Sequence, residues 1–296
     1  MNAASLSQKN RIAGGLIDRG KPLSFRFDGQ HYTGFSGDTL ASALLANNVR
    51  LVGRSFKYHR PRGILTAGSE EPNALVTIGS GASQDPNCRA TTTELFDGLT
   101  AKSQTKVGFL SFDLMAINDL LSPILGAGFY YKTFMWPVAF WEKLYEPMIR
   151  KAAGLGSLSG KADPDRYDKG YLHCDLLVIG SGPSGLMAVL TAAKSGLRVI
   201  LADEDFCLGG RLNAETLEID GKSSAMFAAE TLGVLGSMEN VRILPRTTVF
   251  GAFDHGCYGA LERLNEHEAN GGVRQIFWHI RSQRCILAAG ATERPI

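Results

Sequence analysis

Cysteine is scarce and scattered. The five residues (Cys88, Cys174, Cys207, Cys257, Cys285) are odd in number and include no CxxC pair, which argues against a disulfide framework, a zinc site or an iron–sulfur cluster. Six histidines are equally dispersed, with no HxH or HExxH, so no metal site is expected. Charge of one sign is also lacking. A net charge of +2 gives no electrostatic ground for nucleic acid or an anionic membrane as partner. Residues 1–10 are polar and lack the basic, apolar and small-residue succession of a secretory leader. No apolar run reaches membrane-spanning length, because Asp113, Asp119, Lys132 and Glu142 interrupt the most aromatic stretch. A reducing cytoplasm is the expected setting. What remains is a globular composition, 44% hydrophobic and 20% charged, in a chain long enough for two domains.

The most informative stretch reads DLLVIGSGPSGLMAVLTAAKSGLRVILADED, residues 175–205. An apolar run ending at Ile179 enters Gly180, Ser181, Gly182, Pro183, Ser184 and Gly185. A helical pattern follows, then a second apolar run closed by Asp203. The acid falls about twenty residues beyond the last glycine, where a dinucleotide-binding βαβ unit places it. The glycines act differently. Gly180 permits the tight turn, Gly182 lets backbone approach a pyrophosphate, and Gly185 lets helix and strand pack closely. The helix N-terminus faces the diphosphate with free N–H groups and the positive end of its dipole. A carboxylate at the second strand tip accepts hydrogen bonds from a ribose and repels a 2′-phosphate, which favours NAD or FAD over NADP.

Three stretches follow from patterning along the chain. Residues 11–105 are predicted as a compact β-rich domain. Apolar alternation around Asp28 and Gly29 signals a hairpin. Residues 38–46 have helical spacing with Ser36 or Asp38 available as cap, and residues 74–78 return to strand character. A hairpin, one crossing helix and further strands indicate a ferredoxin-like β-grasp. Residues 106–170 are predicted as a connector, with eight aromatics in residues 129–145. These serve either as packing between domains or as an apolar patch that docks another subunit. Residues 171–296 are predicted as the Rossmann-type domain, with a helix over 223–235 and strands over 241–244, 247–251, 274–280 and from 284 on. The last strand ends in Ala288, Ala289 and Gly290 and leaves a doubly wound sheet at least one strand short. The chain is therefore expected to be truncated, a piece of something longer.

The order GSGPSG, VILADED, GGRL, ILAAGATERP is similar to two-dinucleotide flavoprotein oxidoreductases of the disulfide-reductase type. Residues 37–76, with the run RSFKYHRPRG, resemble more narrowly the alpha subunits of heterotetrameric sarcosine oxidases, and the resemblance runs through essentially the whole chain. It implies an α/β fold with an N-terminal β-grasp followed by an NAD-binding Rossmann unit. It implies an assembly with beta, gamma and delta subunits that oxidatively demethylates sarcosine to glycine with O2. The products are H2O2 and formaldehyde or 5,10-methylenetetrahydrofolate. On the same resemblance NAD belongs to this chain, FMN lies at the interface with the beta subunit, and FAD and the sarcosine site are in the beta subunit. Tetrahydrofolate belongs to a C-terminal part that these residues do not include. By position, Gly180, Gly182, Pro183, Ser184 and Gly185 contact the NAD phosphates. Asp203 and Glu204, with Asp205 beside them, hold the adenosine ribose. Gly210 lies at the pyrophosphate, Arg211 either approaches it or is a solvated loop arginine, Val249 borders the adenine, and Gly290 approaches where the chain returns.

Related β-grasp subunits carry a [2Fe–2S] cluster on closely spaced cysteines after the helix. The corresponding residues 63–73 have none here, and Cys88 stands alone, so the fold is expected without its cluster. The basic run Arg54, Lys57, His59, Arg60 and Arg62, interleaved with Phe56 and Tyr58, is either a solvated loop or a face for a flavin phosphate or an acidic partner. No Ser/His/Asp order, paired carboxylates or redox cysteine pair stands out, so no catalytic residue is assigned and the chain alone is expected to be inactive. Three alternatives remain at this level. The chain could be a stand-alone FAD-dependent NAD(P)H reductase, a subunit of a related flavin-dependent amino-acid or amine dehydrogenase, or a binding module whose nucleotide is purely structural.

Overall fold

In the computed structural model the described residues are 8, 10–12, 14–123, 125, 126, 128, 134–264 and 272–291. They form two compact units, Met1–Pro164 and Asp165–Ile296.

In the first unit, β1 (Asp18–Phe27) and β2 (Gln30–Ser36) form the expected hairpin. Its turn places Asp28 and Gly29 at φ 47° and 83°, the left-handed pair that matches the twist of the flanking strands. Helix α1 (Leu40–Ala46) follows. Its cap is Thr39, whose hydroxyl accepts from the Ser42 N–H while the Ser42 hydroxyl accepts from the Thr39 N–H. Asp38, one of the two caps expected, is used elsewhere. Its buried carboxylate accepts from the Phe35 N–H and the Ser42 hydroxyl and pairs with Arg11. A small hairpin, β3 (Gly53–Arg54) with β4 (Pro61–Arg62), precedes β5 (Leu75–Ile78), β6 (Asp85–Arg89) and β7 (Leu99–Ser103). The main sheet runs β2-β1-β7-β5-β6, with β1 and β7 parallel and the other pairs antiparallel. Leu40, Ala43 and Leu44 of the helix pack on Phe25, Phe27, Val76 and Leu99 of the sheet, all buried. This is the β-grasp arrangement expected from the sequence. The last helical segment of the unit is a π-helical turn, Trp141–Tyr145, that continues into α2 (Glu146–Ala152).

The second unit opens with β8 (Arg166–Ile179), whose start precedes residue 171, where patterning puts the domain boundary. Helix α3 (Pro183–Lys194) leads to β9 (Val199–Ala202). A two-residue hairpin, β10 (Glu218–Ile219) and β11 (Lys222–Ser223), leads to α4 (Ser224–Gly236), capped by the Ser223 hydroxyl. Then come β12 (Val241–Leu244), β13 (Thr247–Phe253), β14 (Cys257–Arg263) and β15 (Val273–Leu287). The sheet order is β12-β9-β8-β15-β14-β13, parallel across its first four strands and antiparallel thereafter.

The strands expected separately over 274–280 and from 284 are one continuous strand. The strand runs parallel to β8 from Val273 beside Arg166 to Leu287 beside Ile179, and its residues 275–281 pair on the other side with antiparallel β14. Alternation in the central strands separates two cores. Leu176, Val178, Val199 and Leu201 face α3 and α4, while Leu177, Ile200 and Ala202 face Leu244, Ala260 and Ile280. Both faces are covered, which is why these strands read as unbroken apolar runs. Among the described residues no helix is long and apolar enough to cross a membrane.

Candidate functional site

The glycine turn between β8 and α3 is built by exclusion. Gly180 takes φ 102°, and a Cβ there would lie 2.5 Å from the Ala288 carbonyl oxygen. A Cβ on Gly185 would lie 1.9 Å from the Gly180 carbonyl oxygen, so only glycine lets the helix start this close to its strand. Gly182 differs. As the N-cap of α3 it has an ordinary backbone (φ −64°), and a Cβ there would meet nothing within 4 Å. The space above it is open. Pro183 stands in the first turn, where its missing N–H removes nothing. Ser184 is exposed, and the amides of Ser184 and Gly185 belong to the first turn, which has no intrahelical acceptor.

Three loops converge on this opening. Asp203, at the end of β9, accepts from the Ser181 N–H at 2.5 Å and from the Asp205 N–H at 2.9 Å. The Gly209 N–H donates to the Ser181 hydroxyl oxygen at 2.9 Å. Gly210 follows at φ 53°, where a Cβ would stand 3.0 Å from the Gly182 Cα. Arg211 lies in the short helix Gly210–Asn213, exposed, with its guanidinium paired to Glu215 at 3.0 Å. The returning chain passes Ala288, whose N–H donates to the Ile179 carbonyl, and reaches an exposed Gly290 at φ 75°. Gly180, Gly182, Gly185, Asp203 and Gly210 therefore share one end of the sheet. Val249 is half-buried in β13, packed against the core that holds Leu177, Ile200 and Leu244. Ser181 is not among the residues the sequence motif singles out, although its buried hydroxyl joins two of the loops. A serine between two glycines carries no periodic signal that marks it.

The acidic loop is crowded with negative charge. Desolvation first, then the charges of Asp203 and Glu204, push the Asp205 carboxyl up to about 6, with Arg263 opposing. The Arg263 guanidinium donates to the Glu204 carbonyl oxygen, and the Thr247 and Arg246 N–H groups donate to the Asp203 and Asp205 carbonyls. The turn after β12 thus braces the acids from below.

In the first unit the basic run makes several bonds within the unit, while Arg60 and Arg62 keep exposed side chains. His59 and Asp113 form a fully buried pair at 2.9 Å. Arg54 donates to the Leu110 carbonyl, Lys57 to the Gly126 carbonyl at 2.8 Å, and Tyr58 to the Leu125 carbonyl at 2.8 Å. Arg60 pairs with Asp119. The run fastens Leu110, Asp113, Asp119, Leu125 and Gly126 to the β-grasp, and Arg62 lies exposed in β4. Of the aromatic stretch, residues 129–133 lie outside the described residues. Phe134, Trp141 and Tyr145 line a cavity of about 830 Å³ with Phe56, Leu121 and Ile149, whereas Trp136 is 82% exposed. Among the described residues no group of His, Cys, Asp and Glu is arranged to hold a metal ion.

Residues 20–106 match the family described as a 2Fe-2S iron-sulfur cluster binding domain. Residues 175–241 match the family described as FAD dependent oxidoreductase. The chain is 58% identical over 285 residues to sarcosine oxidase subunit alpha of Rhizobium meliloti, across 95% of this chain and 29% of that protein. It is 37% identical over 294 residues to sarcosine oxidase subunit alpha of a Corynebacterium species, across 97% and 26%. Among solved structures, L-proline dehydrogenase from P. horikoshii matches with a TM-score of 0.54 at 19% identity, over 94% of this chain and 43% of that one; this likeness concerns the fold. The chain spans less than a third of the length of the curated relatives it matches.

Proposed function

The chain corresponds to the N-terminal portion of sarcosine oxidase alpha subunits, and from that premise we propose that it is the NAD-holding, assembly-forming part of a multi-subunit oxidoreductase that demethylates sarcosine to glycine with O2. The observation that carries the reading is the open space at Gly182, walled by Gly210, faced by the first turn of α3 and ended by the acids of residues 203–205. A diphosphate suits the helix terminus and the glycine backbones. The ribose diol suits Asp203 and Glu204, and the negative loop disfavours a 2′-phosphate. Arg211 would reach the pyrophosphate by leaving Glu215. Val249 would border the adenine, and Gly290 the returning strand's side.

When bound, NAD supplies a hydride-accepting nicotinamide. This reading assigns no catalytic residue to this chain. On this reading the amine oxidation belongs to FAD in a beta subunit, with FMN between alpha and beta, and tetrahydrofolate is bound by a later part of the alpha subunit. Gamma and delta subunits complete the assembly. The β-grasp carries no cluster, because Cys88 is the one cysteine within residues 20–106 and its thiol donates to the Asp85 carbonyl. It serves as a structural and docking domain.

A second reading has a specific support: the family matched by residues 175–241 is described by FAD, and the same cradle would take the ADP half of FAD. Denaturing the purified chain and identifying released nucleotide by mass spectrometry and absorbance separates the two. NAD without flavin supports the first, and stoichiometric FAD the second. A chain that releases neither and takes up neither on titration sinks both.

A further inference from the structure

Ser181 is fully buried, although a hydroxyl gains nothing from apolar packing. Its two polar groups point to different loops. The N–H donates to Asp203 Oδ2 at 2.5 Å, and Oγ accepts from the Gly209 N–H at 2.9 Å. One residue thus joins the glycine turn after β8, the acidic loop after β9 and the diglycine turn that follows. The diglycine turn needs such a hold. Gly209 and Gly210 adopt φ 122° and 53°, conformations that two glycines in a free loop would abandon for many others. Gly209 is itself buried, so its N–H would be an unsatisfied donor without the serine oxygen. At the other end Asp203 accepts one backbone N–H on each carboxylate oxygen, which leaves a lone-pair site on each for a ribose hydroxyl.

We propose that Ser181 is the positioning residue of the nucleotide cradle. It holds Gly210 against Gly182 as the diphosphate wall and aims Asp203 at the ribose, so that the cradle is formed before a dinucleotide enters. This deepens the dinucleotide reading and rests on it. Preorganisation of this kind raises affinity by removing the ordering that binding would otherwise require. Ser181→Ala deletes the Gly209 acceptor and leaves the bond from residue 181 N–H to Asp203. It should therefore loosen the diphosphate wall and spare the ribose end.

Titration of the full chain with NAD, and separately with adenosine, reads this in wild type, Ser181→Ala and Ser181→Thr. Ser181→Ala is expected to bind NAD about tenfold more weakly, the equivalent of roughly one hydrogen bond, to bind adenosine unchanged, and to be rescued by Ser181→Thr. Unchanged NAD affinity, or equal losses for NAD and adenosine, overturns the proposal. Hydrogen exchange on unliganded wild type requires no variant. A Gly209 amide as protected as those of the central strands supports the preformed wall, and one exchanging like an exposed loop overturns it. If Gly209 is protected but wild type binds no dinucleotide, the nucleotide reading falls and the contact is purely structural.

Discussion

At the scale of single residues, Gly182 and Gly185 of the turn have separable effects. Gly185→Ala drives a Cβ into the Gly180 carbonyl oxygen and is expected to destabilise the second unit by about 1–3 kcal/mol, read from its denaturation midpoint. Gly182→Ala meets no atom within 4 Å and keeps an allowed φ. Its expected outcome is stability within ~0.5 kcal/mol of wild type with NAD binding lost, because the methyl fills the ligand's place. A Gly182→Ala chain that binds NAD normally contradicts the cradle. Asp205 has an expected pH signature. Its carboxyl is raised to about 6, so above that pH the folded protein holds a charge it disfavours. Asp205→Asn should therefore raise the melting temperature at pH 7–8, and the gain should fade as pH drops from about 6 toward 4, where both states are protonated. Melting curves across that range check the sign.

Among the elements, the loop over residues 63–73 shows how a segment without regular structure is held. Glu71 is 2% exposed, and its carboxylate accepts from the N–H groups of Leu65, Thr66 and Asn73 and from the Thr66 hydroxyl. Burial pushes its carboxyl up, but those bonds outweigh burial and hold it below the ordinary value. The stabilisation is complete above the unfolded carboxyl's range and is lost as pH falls through the lowered folded value. Glu71→Gln replaces one acceptor oxygen by a donor facing donors. It should lower the first unit's unfolding free energy by about 3 kcal/mol, measured by denaturant titration, with the difference shrinking in acid. The sequence discloses the loop's missing cysteines but not this carboxylate, since burial of a lone glutamate depends on which chain segments surround it. The cap of α1 is a similar case. Asp38, Thr39 and Ser42 are all capping types, and only the packing of Arg11 and Phe35 on Asp38 gives them different roles.

For the whole molecule, each unit has its own core. The full chain is expected to unfold in two steps, and NAD at a hundredfold excess over Kd should stabilise by about 2.7 kcal/mol only the step belonging to residues 165–296. Calorimetry with and without NAD checks this, and a shift of both steps or neither counts against it. The βαβ unit and the first hairpin were legible because their signals are local: Gly180 to Gly185 with Asp203, and Asp28 with Gly29, specify backbone conformations through residues adjacent in the chain. The sequence alone thereby determined an α/β chain with a nucleotide-type turn, whereas its division into two units rather than three stretches came from the structure. Tertiary structure alone decided that β15 is one strand serving both the meander and the parallel sheet, because its neighbours come from segments about a hundred residues apart in register. It also decided that the basic run fastens Leu110, Asp113, Asp119, Leu125 and Gly126 and that Ser181 joins three loops. A hydrogen bond between distant segments leaves no periodicity in the sequence, and its partners are known only once the chain has brought them together.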